Sequence, residues 1–354
     1  MKTRARIRRL WRATLLASLV PLGAAADARD GHSVVNAFGD TFVPAKPQRV
    51  VTLYQGATDS AVALGIRPVG VVDSWLEQPM YRYLRDALDG VEHVGLETQP
   101  NLEKVAWLEP DLIVATRFRH ERVKPLLEKI APTVATSTVF DFKATLSLMA
   151  EATGREPRAR ALLRDWDERV ADFRRKIADR LGDDWPQKAA VVRFKSDHVR
   201  LYSTGFAGSI LDELGFEQPA SAQDQGWGMK LTSEENIPVI NADVIFVLLE
   251  PDDPAIIQNY RHWTAHPLWQ RLDAVQNERV FEVDAVNWIM GGGILAANAM
   301  LDDLYRHYGL APHSGHTAPS PDSSAGAASS DAATTACAGD TAVASPRGEE
   351  PAAC

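Results

Sequence analysis

Five basic side chains (Arg117, Arg119, His120, Arg122 and Lys124) fall within eight positions of the stretch ATRFRHERVKP, residues 115–125, directly after the apolar run DLIV. A guanidinium is a planar fork that pairs with a carboxylate through two hydrogen bonds. Arg117 follows a strand-like run, and ligands of parallel α/β sheets gather outside the carboxyl ends of strands. Arg119 and His120 open a helical pattern over residues 119–130, and a first helical turn favours anions rather than cations. Cations placed there require a negative group to compensate. Arg117, Arg119 and His120 are therefore expected to meet an anionic, oxygen-rich ligand. Arg122 and Lys124 are expected to lie on a solvated face with Glu121 and Glu128.

A second cationic strand end lies in VVRFKSDHVRLYSTGFAGS, which carries Arg193 and Lys195. Arg193 alternates with Val192 and Phe194, so burial in an internal pair is the alternative to the preferred ligand contact. Tyr54, Trp75, Trp227 in DQGWGMK and Trp288 in DAVNWIMGGG fall at similar strand ends or loops. Aromatics supply contact area at low entropy cost. Gly291, Gly292 and Gly293 precede the apolar pattern ILAANAMLDDLYRHYG and are expected to let a helix pack closely. No HExxH, CxxC, GxxxxGK[ST] or GxSxG is present. A protein-bound metal, a nucleotide loop and hydrolytic catalysis are therefore not expected.

Eight apolar runs read as strands: 49–54, 68–73, 111–116, 133–137, 188–194, 198–203, 243–249 and 279–284. Most are continuous and β-branched, as in strands covered on both faces. Helical patterns between them indicate α/β architecture with largely parallel sheets. One long amphipathic pattern divides the two strand sets. Its apolar stripe is Leu162, Trp166, Val170, Phe173, Ile177 and Leu181, with Pro157 at its start and Gly182 at its exit. The expected parts are an N-terminal α/β lobe (34–154), a bridging helix (155–182) and a C-terminal α/β lobe (183–310). A weak repeat supports two related lobes. Glu103 precedes Asp111 by eight residues, and Glu235 precedes Asp243 by the same interval.

Residues 1–26 read as a signal peptide: a basic start, a short apolar run, then Ala24, Ala25 and Ala26. No cysteine stands near the cut to carry a lipid. Without the six basic residues of that leader the balance is 32 positive against 47 negative, a formal charge of −15. Such a surface repels nucleic acid and anionic lipid. Residues 311–354 are rich in Ala, Ser, Thr, Pro and Gly and read as a disordered tail. Both cysteines, Cys337 and Cys354, lie in that tail.

Together these stretches resemble the periplasmic iron–siderophore-binding proteins of ABC importers, in the helical-backbone class of substrate-binding proteins. The marks are RVVTLYQGATDSAVALGIRPVGV, PNLEKVAWLEPDLIVATRFRHERV, RLYSTGFAGSILDELGF and VNWIMGGGILAANAMLDDL, between about Arg49 and Tyr308. RFRHE and the GGGILAAN segment resemble the ferric citrate and citrate-hydroxamate branch. The resemblance implies two three-layer α/β lobes with mainly parallel sheets joined by one long rigid α-helix, holding a ferric chelate in the cleft. Siderophore oxygens coordinate the iron, so no cofactor is implied beyond iron within the bound chelate. Arg117, Arg119, His120, Arg193, Lys195, Tyr54, Trp75, Trp227 and Trp288 become the expected ligand residues, with the two cationic strand ends facing each other. Glu103 and Glu235 match glutamates that dock onto arginines of an inner-membrane ABC permease. The implied protein is a soluble periplasmic monomer that binds a ferric siderophore or ferric citrate, without membrane insertion or nucleic acid. Glu97 departs from a hydroxamate-binding relative, which has Arg in that segment. A cobalamin or haem receptor of the same fold, a zinc or manganese receptor, and a secreted hydrolase remain as alternatives.

Overall fold

Short β-branched runs set between helical patterns can bury both faces only in a sheet covered on each side. The computed structural model describes residues 30–222, 228–250 and 252–313. The expected leader, residues 314–354 of the expected tail, and Trp227 lie outside them.

A hairpin, β1 (Gly31–Asn36) and β2 (Gly39–Pro44), precedes the first sheet. That sheet comprises β3 (Val50–Thr52), β4 (Gly70–Asp73), β5 (Glu92–Leu96), β6 (Gln99–Pro100), β7 (Leu112–Thr116) and β8 (Thr133–Thr136), in the order β6-β5-β4-β3-β7-β8. All its pairings are parallel except that of the short edge strand β6. Its helices are α1 (Gln55–Ala63), α2 (Arg85–Leu88), α3 (Leu102–Trp107), α4 (Arg117–His120), α5 (Lys124–Ile130) and α6 (Phe142–Thr153). Gly154 ends α6 in the left-handed region, at φ 66°, a conformation that favours glycine.

The next helix, α7 (Glu156–Leu181), has 26 residues and is about 39 Å long at 1.5 Å per residue. Trp166, Val170, Phe173 and Ile177 bury the expected stripe. Trp166 meets Phe142 edge to face at 5.2 Å, and Phe173 meets Tyr305 at 5.3 Å. One continuous apolar core thus runs from the first sheet, along α7, into the second.

The second sheet comprises β9 (Ala189–Phe194), β10 (Val199–Tyr202), β11 (Gly228–Leu231), β12 (Val244–Leu248) and β13 (Val280–Val283), in the order β11-β10-β9-β12-β13. β12 pairs in parallel with both β9 and β13, and β10 pairs antiparallel with both β9 and β11. The link from β9 to β10 is too short for a crossover helix, so the chain must turn straight back. The helices here are α8 (Gly205–Leu214), α9 (Pro254–Ala265), α10 (Asp273–Gln276) and α11 (Ile294–His307).

The paired acidic residues of the repeat have matching structural roles. Asp111 accepts the backbone N–H groups of Gln48 and Arg49 at 2.7 and 2.8 Å, and Asp243 accepts that of Lys188 at 2.7 Å. Each carboxylate therefore anchors the entry of the strand beside its own. The last helix, α11, lies at the end of the second strand set yet packs on α1, α6 and α7. The glycine run makes this possible. A side chain at Gly56 would stand 2.6 Å from the Gly292 carbonyl, and one at Gly293 would occupy the space of the Asp59 carboxylate.

Candidate functional site

The carboxyl ends of the first sheet's strands converge on one crevice. Tyr54, Gln55 and Gly56 follow β3, Trp75 follows β4, Glu97 follows β5, and Val139 and Phe140 follow β8. The opposite wall comes from the second half of the chain: Phe206 at the start of α8, then Ile289, Met290 and Gly292 before α11. This is the position at which parallel α/β sheets hold ligands. A wider cleft of about 1010 Å³ lies between residues 76–85 and the ends of β12 and β13.

Arg117 and Arg119 open α4 straight after β7. Arg117 is exposed, and no carboxylate among the described residues pairs with it. The Arg119 side chain is almost wholly buried, with its Nε 3.2 Å from Glu97 Oε1. Its guanidinium lies 5.6 Å from the Trp75 ring centre and 5.0 Å from that of Phe118. Such cation–π contacts hold a planar cation in one orientation. Glu97 also accepts the Gln55 backbone N–H at 3.2 Å and a hydrogen bond from Trp75. Burial raises the Glu97 pKa, and Arg119 and these donors pull it only part of the way back. Phe118 is 46% exposed and meets Phe140 at 5.9 Å, extending the aromatic lining outward from Arg119.

Several expected ligand residues have other work. His120 is 1% exposed. Its Nδ1 accepts the Thr116 N–H at 3.2 Å, and its Nε2 donates to the Glu97 carbonyl at 2.9 Å. Both ring nitrogens are thus spent on holding α4 against the end of β5. Burial, with Arg119 beside it, lowers the His120 pKa to about 4, so the ring is neutral near pH 7. The rim of Tyr54 lines the crevice, but its hydroxyl is committed to Thr136 and Thr145 at 3.0 and 3.1 Å. Burial pushes that phenol up to about 12.

Trp288 is a core residue. It is fully buried, donates to Asp303 at 2.9 Å and meets Phe246 at 4.5 Å. The turn at 286–290 instead presents Ile289 and Met290 to the crevice.

Arg193 is also internal, at 3% exposure, and its Nη2 lies 2.6 Å from Glu250 Oε1. Burial opposes its charge, but Tyr202 and Glu250 outweigh that and raise its pKa. Lys195 shares Glu250 at 3.4 Å. The expected second cationic wall is therefore turned inward, with Arg193 and Lys195 both held by Glu250 at their own strand end. The wide cleft instead carries Glu77, Glu250, Asp252, Asp253, Glu282 and Asp284 beside Arg82 and Arg85. Much of this acidity is structural. Asp253 caps α9, Asp284 accepts the N–H groups of Val286 and Asn287, and Glu77 pairs with Arg82.

On the outer surface, Lys124 pairs with Glu128 at 2.8 Å, as its solvated reading requires. Glu103 is exposed in the first turn of α3, and Glu235 is exposed in the first turn of a 3₁₀ segment, Glu234–Ile240. Among the described residues no group of three His, Cys, Asp or Glu is placed to hold a metal ion, and no helix is long and apolar enough to cross a membrane.

Two α/β halves on one long helix, with strand ends opening onto a shared space, define a two-lobed binding protein with a helical spine. Residues 50–286 match the family model described as periplasmic binding protein, and the chain belongs to that family. It is 51% identical over 267 residues to the achromobactin-binding periplasmic protein of Dickeya dadantii, covering 75% of this chain and 88% of that one. It is 40% identical over 277 residues to the probable siderophore-binding lipoprotein YfiY of Bacillus subtilis, covering 75% and 84%. Among solved structures, Staphylococcus aureus SirA complexed with staphyloferrin B superposes with a TM-score of 0.76 at 43% identity, covering 79% of this chain and 99% of that one.

Glu97, Gln55, Phe140 and Phe206 line the crevice and Phe118 packs on Phe140, and none of the five was among the expected ligand residues. Phe118 stands inside the basic run itself. Glu97 is the compensating negative charge that the run demanded, supplied by the protein from the end of β5.

Proposed function

We propose that this protein captures a ferric siderophore bearing free carboxylates and delivers it to an ABC permease. The observation that carries this reading is the cluster at the end of β7. An exposed Arg117 lies two residues before an Arg119 that Phe118 and two crevice-lining residues, Trp75 and Glu97, hold in one orientation. A preorganised guanidinium over aromatic rings suits a planar carboxylate on a chelate's outer face. The relatives that bind achromobactin and staphyloferrin B support a siderophore as cargo. The iron arrives with its ligands already in place, so the protein needs no ligand cluster of its own.

In this reading residues 34–154 and 183–310 act as two lobes on the spine 155–182. The leader exports the chain as a soluble periplasmic receptor, and Glu103 and Glu235 are the paired contacts for the permease. The direct test is a fluorescence titration of the purified mature protein with ferric dicitrate, a ferric bis-citryl diamide, haem and cobalamin. Saturable binding of a carboxylate chelate, without binding of haem or cobalamin, is the expected result. Binding of haem or cobalamin alone would overturn the reading.

A further inference from the structure

Gln55 opens α1 at the end of β3 and is only 2% exposed. Its side-chain Nε2 donates to the Asp73 carbonyl at 2.8 Å, which sets the amide orientation. Its backbone N–H is taken by Glu97 Oε2. Its side-chain Oε1 is buried and has no hydrogen-bond donor among the described residues, and Gln55 lines the crevice together with Trp75, Glu97 and Met290. A buried carbonyl oxygen left without a donor destabilises the fold. Folded proteins carry few such atoms, and one on a residue that lines a binding crevice points to a donor brought from outside.

We propose that Gln55 is a specificity residue whose Oε1 accepts a hydrogen bond from an N–H group of the bound chelate. The proposal rests on the siderophore reading and narrows it. A carboxylate-type chelate offers few donors at neutral pH. Its ionised carboxylates only accept hydrogen bonds. Its hydroxyls, once bound to ferric iron, lose their protons to the metal's charge. The donor that survives chelation is an amide or amine N–H. Crevice chemistry agrees, because Gln55 and the Glu97 carboxylate line the same crevice, and two acceptors in one crevice favour a donor. Arginines on one side then read carboxylates, while Gln55 reads the linkage that joins them.

The test is a two-by-two comparison on the mature full chain. The ligands are the ferric complex of a bis-citryl ethylenediamide and that of its N,N′-dimethyl analogue, which keeps every iron-binding group and loses both N–H donors. The proteins are the wild type and Gln55→Met, a substitution of similar length without an acceptor. The wild type should bind the N–H chelate about tenfold more tightly than the methylated one, and Gln55→Met should bind the two within about twofold. Each preference is a ratio within one protein, so a general loss of fold in the variant does not mimic it. A wild type that binds both chelates equally would show that water satisfies Gln55, which overturns the proposal and leaves the siderophore reading intact. A preference retained in Gln55→Met would overturn it as well. A wild type that binds neither chelate would overturn the proposal, and a parallel failure to bind ferric dicitrate would remove the siderophore reading with it.

Discussion

Asp59, in the middle of α1, accepts the backbone N–H of Leu295 at 2.9 Å through one carboxylate oxygen. Its other oxygen takes the N–H of Ala296 at 3.0 Å and the hydroxyl of Tyr83 at 2.9 Å. The glycine-rich start of α11 is thus an anion site, and the anion is the protein's own. A side chain from the first strand set caps a helix that follows the second, where free N–H groups favour negative charge.

Removing this cap should weaken the whole body. Asp59→Ala strands two backbone N–H groups and a phenol in a dry site, and losing a helix cap alone costs about 0.5–2 kcal/mol. The expected loss is about 2–3 kcal/mol with the added buried donors. Urea unfolding followed by tryptophan fluorescence measures it. A loss below about 0.5 kcal/mol would show that the contact is replaceable by water.

Two buried groups make opposite contributions to stability in weak acid. Burial pushes Asp59 up from 3.8 to about 6, so the folded state binds its proton more tightly than the unfolded chain. That contribution is full below about pH 4 and is lost as pH rises through 6. His120 falls from 6.5 to about 4, so its contribution is full above pH 6.5 and is lost as pH falls toward 4. Each shift is worth about 3 kcal/mol. Relative to wild type, Asp59→Asn should steepen the loss of stability between pH 6 and 4, and His120→Gln should make it shallower. Unfolding midpoints at five pH values would show this, and parallel curves for all three proteins would refute it.

Arg119 has two roles that mutation can separate. Arg119→Ala should weaken chelate binding by about 1.5–3 kcal/mol, the size of a hydrogen bond to a charged group. It should also lower stability by about 3 kcal/mol, because Glu97 stays buried without its cation. Adding Glu97→Gln should restore most of the stability and none of the binding. Titration and unfolding of the single and double variants provide the check. Binding that recovers together with stability would make Arg119 a purely structural residue.

Glu103 and Glu235 are exposed on separate halves and lie outside the crevice. The double replacement by alanine should leave chelate affinity within twofold and abolish uptake of radioactive iron in cells relying on this receptor. Normal uptake would reduce both to ordinary helix-start acids.

Closure on ligand should be small. The 26 residues of α7 and the Asp59 cap tie the two halves through one core, unlike a flexible hinge. Small-angle scattering should give nearly the same radius of gyration with and without ligand, and a marked compaction would contradict this stiffness.

Much of the architecture was legible in the order of residues. The eight apolar runs all form strands, because a continuous β-branched run is stable only when buried on both faces. The stripe from Leu162 to Leu181 marks the spine, since helical spacing puts those residues on one face whatever lies opposite. The hairpin at 31–44 and the strands β5, β6 and β11 went unread, being short, polar or half exposed.

The site was legible as a neighbourhood and not as a set of contacts. Residue type placed cations and aromatics at strand ends. The local chain could not show that Arg193 would spend its charge on Glu250, 57 residues away, or that His120 would spend both nitrogens on Thr116 and Glu97. Nor could it show Trp288 turned into the core while its neighbours Ile289 and Met290 face the crevice. Periodicity and strand chemistry act over a few residues, so sequence determines them directly. Which charge meets which depends on how distant segments pack, and there a buried group must take whatever partner the fold brings within reach.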